Sequence, residues 1–199
     1  MNYSIIGSGN VGTALARLFA HKKIHVAIAN SRGPKTLASL TKKLGPGVVP
    51  QSVQDAHEAG MIFLAVPFPA HKEVAKQFKT WKGKIVVDVT NALEVAPKDL
   101  GGRLSSEIVS KAFVGARLVK AFNHLPAAQL GTNRSRKRKR QVVFVSSNDA
   151  GASATVAKVA TRLGFAPIEL GRLDEGGVPL HALDGHPGGL LFQNLEELT

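Results

Sequence analysis

One short segment limits the architecture of this 199-residue chain more than any other: Gly7-Ser8-Gly9-Asn10-Val11-Gly12. It follows the apolar run Tyr3-Ser4-Ile5-Ile6 and opens a stretch in which Val11, Leu15, Leu18 and Phe19 share one helical stripe. A strand that turns through glycines directly into an amphipathic helix starts a βαβ unit, and each glycine has a separate task. Gly7 permits the tight turn, Gly9 leaves the backbone open to a pyrophosphate, and Gly12 lets the helix pack close to the strand. The free N–H groups and partial positive charge of the helix N-terminus then face the phosphates.

The rest of the chain continues this alternation. After a helix over Val11–Lys22 come a strand at Ile24–Ala29, a helix at Pro34–Leu44, a short strand at Val48-Val49 and a helical connector at Val53–Ala59. Strands are expected at Met61–Val66, Ile85–Val89, Arg117–Phe122, Val142–Ser146 and Pro167–Leu170, with helices at Pro69–Lys79, Leu104–Phe113 and Ala150–Leu163. The continuous apolar character of Met61–Val66 fits a strand covered on both faces. The reading is an α/β protein: a doubly wound, mostly parallel Rossmann sheet with a small C-terminal cap. Residues 1–125 form the dinucleotide-binding domain, and residues 126–199 a small substrate-side region packed on the same sheet. The cap begins at Gly171 and includes a terminal helix at Leu190–Leu198. Trp81, the only tryptophan, is expected to pack in the core or under the cap.

The end of the second strand selects among dinucleotides. Sites for NAD usually place Asp or Glu there, on the ribose 2′-OH. Here Asn30-Ser31-Arg32 follows, with Lys35 three residues on. Arg32 offers a charge-assisted fork and Ser31 a short hydrogen bond to a 2′-phosphate, and no carboxylate follows to repel it. The expected cofactor is NADP(H), held by Gly7, Ser8, Gly9, Asn10, Val11, Gly12, Asn30, Ser31, Arg32 and Lys35.

These residues, with Leu64-Ala65-Val66-Pro67, Asp88-Val89-Thr90-Asn91, Val119-Lys120-Ala121-Phe122-Asn123 and the stretch from Leu163 to Leu173, resemble a known family. It comprises the NADP-dependent oxidoreductases related to the reductase of the deazaflavin coenzyme F420. The cytosolic domain of the six-transmembrane ferric reductases is a relative. The resemblance implies that Ala65, Val66, Pro67, Thr90 and Asn91 line the cofactor. It implies that Asn123 and His124 face the nicotinamide as the catalytic pair, and that the hydride acceptor is F420 or a flavin-like molecule. Hydride transfer of this kind depends on alignment and water exclusion more than on an acid–base pair. Lys120 reads as a strand residue beside the site, with an ion pair or a ligand contact both open. His181 and His186 could close the site from the cap, although a structural role is the simpler reading.

Composition narrows the remaining classes. There are no cysteines, so thiolate metal sites, cysteine nucleophiles and disulfides are excluded. No metal-ligand spacing or serine–histidine–aspartate motif stands out. Met1-Asn2-Tyr3 leads straight into the first strand, and no apolar run approaches the ~20 residues of a membrane span. The expectation is a soluble cytoplasmic protein with no membrane partner. A net charge of +12 implies attraction to anions, and six Arg or Lys residues fall within Arg134–Arg140. That run reads as an exposed, solvated loop. It lacks the aromatics that stack on single-stranded nucleic acid, so a non-enzymatic NADP(H) sensor contacting nucleic acid is the alternative rather than the main reading. Attraction of a polyanionic small-molecule acceptor is a further use. A β-hydroxyacid or imine reductase would need a long helical C-terminal domain, and the 28 or so residues after the last strand are too few for several helices of about 11–12 residues each. Homodimer formation through the cap is compatible with the sequence.

Overall fold

A computed structural model of the chain describes residues 1–93, 95–131, 139–185 and 196–198. In chain order its elements are β1 (Tyr3–Ile6), α1 (Asn10–His21), β2 (Val26–Ala29), a 3₁₀ turn at Pro34–Leu37 entering α2 (Ala38–Leu44), β3 (Val48–Gln51) and α3 (Val53–His57). There follow β4 (Met61–Leu64), a 3₁₀ turn at Phe68–Ala70 entering α4 (His71–Ala75), β5 (Ile85–Asp88), a 3₁₀ turn at Pro97–Leu100, α5 (Ser105–Ala112), β6 (Arg117–Ala121) and α6 (Ala127–Leu130). The chain ends with β7 (Lys139–Ser146), α7 (Ala150–Leu163), β8 (Ala166–Glu169), a 3₁₀ segment at Val178–Asp184 and β9 (Glu196–Leu198).

The strands lie in the order β3-β2-β1-β4-β5-β6-β7-β8. All pairs from β3 to β6 are parallel. β7 runs antiparallel to β6, and β8 parallel to β7. Alternation along each strand explains the two layers of helices. Ile5, Phe63, Val87, Val119 and Val143 point to one face, where they meet Leu15 and Phe19 of α1 and Val156 and Ala160 of α7. Ile6, Ile62, Leu64, Val86 and Leu118 point to the other, against Val53, Val74, Val109 and Trp81. Trp81 is buried at 1% exposure; it packs on Phe113 and donates its indole N–H to the Ala75 carbonyl.

Several boundaries differ from the sequence reading. The expected helix over Pro69–Lys79 stops at Ala75: the N–H groups of Gln77 and Phe78 bond three residues back, the Ala75 carbonyl also accepts the Trp81 indole N–H, and Phe78 stacks on His57 at 3.8 Å. The expected strand Met61–Val66 leaves the ladder after Leu64, where the Ala65 carbonyl abuts Gly7. The terminal helix at Leu190–Leu198 is overturned at its end: Glu196–Leu198 is β9, antiparallel to Lys139–Gln141. Those three residues of β7 extend beyond its pairing with β6 and β8, and an exposed ladder is readily covered by another strand. The same extension corrects the basic loop, since Lys139 and Arg140 belong to β7. Residues 134–138, like His186, lie outside the described residues. Among the described residues no helix is long and apolar enough to cross a membrane.

Candidate functional site

After β1 the chain winds outward through β2 and β3, then crosses back to place β4 on the other side of β1. Ligands in open α/β sheets collect at such a switch point, outside the carboxyl ends of the strands. A cavity of about 460 Å³ lies there, framed by Gly7, Ser8, Gly9, Asn30, Ser31 and Arg32 on one side and by Val53, Val66, Val74 and Gln77 on the other. A second, of about 290 Å³, is lined by Gly9, Asn10, Val11, Phe68, Thr90, Asn91 and Leu93. Both share Gly9, Ala65, Val66 and Pro67, so they form one trough over the first turn of α1.

The three glycines answer to the three tasks separately. Gly7 has φ +115°, and a Cβ there would stand 2.1 Å from the Ala65 carbonyl oxygen. A Cβ on Gly12 would lie 1.9 Å from the Gly7 oxygen. A Cβ on Gly9 would meet nothing within 4 Å, so open space lies where a phosphate would approach. Gly9 is also the N-cap of α1, whose first turn holds no acidic residue and whose cap makes no side-chain hydrogen bond. The trough therefore fits a pyrophosphate-bearing ligand, with Gly9 and the first turn of α1 beneath it.

At the end of β2, Asn30 lines the cavity and its side chain is hydrogen-bonded within the protein. Its amide nitrogen donates to Ser8 Oγ and Thr36 Oγ1, both at 3.1 Å, and its oxygen accepts the Arg32 N–H at 3.0 Å. Thr36 is also bound to the Gly33 carbonyl at 2.8 Å. Asn30 therefore ties the glycine turn to the loop that carries Ser31 and Arg32, both exposed at the cavity rim. Thr36, which sequence reasoning missed, completes this clamp. Lys35 is exposed and is not among the residues lining either cavity.

At the other end, Thr90 and Asn91 line the trough and Asn123 stands behind them. Asn91 donates its amide to the Asn123 carbonyl, and Asn123 donates to Asn91 Oδ1 and to the Leu180 carbonyl, all at 2.8 Å. Asn123 Oδ1 is buried without a hydrogen-bond partner. The preceding residue, Phe122, is buried with φ +64°, a left-handed conformation costly for a residue with a bulky side chain. His124 is not brought to the trough. Its ring lies against Phe144, with Nε2 3.4 Å from the Val142 carbonyl, and burial lowers its pKa to about 4.

A buried polar cluster lies behind this wall. Lys120 and Asp88, paired in register on β6 and β5, form an ion pair at 3.0 Å with neither side chain exposed. His181 Nδ1 is 2.8 Å from Asp184 Oδ2, and its Nε2 is 3.1 Å from Ser106 Oγ. Ser105 donates to Asp184 and lies 3.5 Å from Lys120 Nζ. Burial alone would raise the Asp184 carboxyl. The His181 hydrogen bond, the Lys120 charge, and the Ser105 and Ala92 donors outweigh it and hold the group below the ordinary carboxylate range. Asp88, Ser105, Ser106 and Asp184 carried one legible signal, the opposite charges of Asp88 and Lys120 interrupting two apolar strands. Among the described residues no group of three His, Cys, Asp or Glu side chains is arranged to hold a metal.

Residues 2–92 match the family model described as "NADP oxidoreductase coenzyme F420-dependent". That match covers just under half of the chain. It is 41% identical to a hypothetical protein from Sinorhizobium meliloti whose crystal structure it matches with a TM-score of 0.89, over 100% of this chain and 96% of that one. It is 31% identical over 170 residues to the metalloreductase STEAP3 of Rattus norvegicus, a match covering 85% of this chain and 33% of the relative. The chain thus spans about a third of the length of the curated relatives it matches. A crystal structure of a putative F420-dependent NADP-reductase from Arthrobacter sp. fb24 shares the fold, with a TM-score of 0.70, 24% identity and 97% of each chain covered. Within the matched range, the glycine turn, Asn30-Ser31-Arg32 and Val66-Pro67 all line the trough.

Proposed function

We propose that the chain binds NADP(H) along the trough and acts as a reductase that passes hydride to a flavin-like or deazaflavin acceptor. The observation that carries this reading is the continuity of the two cavities over Gly9. One end presents Ser31 and Arg32 with no carboxylate directly after β2, and the one carboxylate on its far wall, Glu73, is paired with Lys76, which suits a 2′-phosphate. The other presents Thr90 and Asn91 beside a mouth formed by Pro67, Phe68, Pro69 and Leu93, the last 66% exposed. That apolar mouth suits a flat ring stacked against a nicotinamide.

Bound NADPH would supply the hydride. The residues supply placement: α1 and Gly9 receive the pyrophosphate, the Asn30–Thr36 clamp presents Arg32, and the Val66-Pro67 turn separates the two ends. Asn123 supports the wall through Asn91. His124, turned toward β7, takes no part. The positive net charge favours approach of acceptors carrying phosphate or carboxylate groups, so their KM is expected to rise with salt.

Titration of the chain with NADPH and NADH tests the cofactor. NADPH should bind more tightly, and Arg32→Ala should weaken NADPH about tenfold or more while leaving NADH unchanged. Equal dissociation constants, insensitive to Arg32→Ala, would overturn the assignment. NADPH oxidation should then be followed with F420, FMN and ferric chelates. Oxidation by neither F420 nor FMN would remove the flavin-like acceptor.

A further inference from the structure

The backbone wall at Thr90–Ala92 is held from behind by charged groups that do not line the trough. One oxygen of Asp88 accepts the Thr90 N–H at 2.9 Å and its hydroxyl at 2.7 Å. Lys120 donates to the Thr90 carbonyl at 2.6 Å as well as to the other oxygen of Asp88. Asp184, reaching over from the segment at Val178–Asp184, accepts the Ala92 N–H. Asp88 and Lys120 are fully buried, and Asp184 is 3% exposed. A buried ion pair is weak as a source of stability, because apolar residues of like volume often do as well. What these charges supply is direction, since each fixes a backbone group of the segment that carries Thr90, Asn91 and Leu93 into the trough.

We propose that Asp184, backed by Lys120 and Asp88, is a positioning residue for the nicotinamide end of the trough. The inference rests on the NADP(H) reading above and divides the trough in two. The adenosine end is assembled from the glycine turn, the Asn30 clamp and α4, whereas the hydrogen bonds of Asp184 run to Ala92, Ser105 and His181. The nicotinamide end takes its shape from the cluster, so a residue of the C-terminal segment governs one half of the cofactor and not the other.

The test is calorimetric titration of the full chain with two probes: NADPH, and adenosine 2′,5′-bisphosphate, which carries only the 2′-phosphorylated adenosine half. In Asp184→Ala the NADPH dissociation constant should rise about tenfold, with the bisphosphate unchanged within about twofold. Asp184→Asn, which keeps an oxygen to accept the Ala92 N–H, should restore most of the NADPH affinity. Parallel weakening of both probes would mark a merely structural role and overturn the proposal, as would unchanged NADPH binding or no rescue by asparagine. If thermal melting shows that Asp184→Ala does not fold, Ser105→Ala carries the test. It removes one donor to Asp184 and should raise the NADPH constant alone, by about threefold; an unchanged constant overturns the proposal. Failure of the wild-type chain to bind NADPH would overturn the NADP(H) reading first and this inference with it, which keeps the two failures apart.

Discussion

Gly9 and Gly12 are alike in sequence and opposite in surroundings. Gly12→Ala would set a methyl 1.9 Å from the Gly7 carbonyl oxygen, so it should destabilise the fold by about 1–3 kcal/mol in urea melts. Gly9→Ala would place a methyl in open space, so folding should change by less than about 1 kcal/mol while NADPH affinity falls sharply. Thr36→Val should leave Asn30 without one of its three partners and loosen the loop that carries Arg32, lowering the preference for NADPH over NADH by several-fold, about the worth of one hydrogen bond. Titration with both nucleotides measures it. The glycine roles were legible because Gly-x-Gly-x-x-Gly spacing encodes a backbone requirement. The direction of the Asn30 amide was not, because its partners come from residues 22 positions before and six after it.

At the level of elements, β5 and β6 are joined by a charge pair as well as by their ladder. Lys120→Met leaves the buried Asp88 side chain without its partner, and should cost about 3–5 kcal/mol by chemical denaturation. Replacing both with leucine should cost less, because no charge is then stranded. Apolar runs located the central strands, and α7 spans Ala150–Leu163 as the sequence implied, with Asp149 at its N-cap and Gly164 past its last turn. The same logic failed at α4, whose last carbonyl accepts the Trp81 indole as well as the Phe78 N–H, and at β9, whose strand state depends on the edge of β7. Both errors arise from long-range partners that local periodicity does not contain.

For the whole molecule, acid stability follows from histidines kept neutral. Burial lowers the pKa of His57 and His71 and takes His124 to about 4, against an ordinary 6.5. As pH falls through the window from 6.5 toward 4, the unfolded chain takes up protons that the fold refuses, so stability declines on acidification and is fully present above 6.5. Thermal melts from neutral pH to about pH 5 should show this decline, and His124→Phe should make it shallower. Asp149, hydrogen-bonded to Arg117 and lowered to about 2, adds a second loss, beginning below its ordinary 3.8 and running through 2. The sequence alone determined the layered α/β fold, the nucleotide-binding turn and the absence of an acid after the second strand, because spacing and residue type at one place in the chain carry each of them. Tertiary structure decided that Asn30 is a clamp, that His124 faces away from the trough, and that Asp184 stands behind its wall. Those outcomes depend on where side chains from distant segments meet, and no local pattern records that.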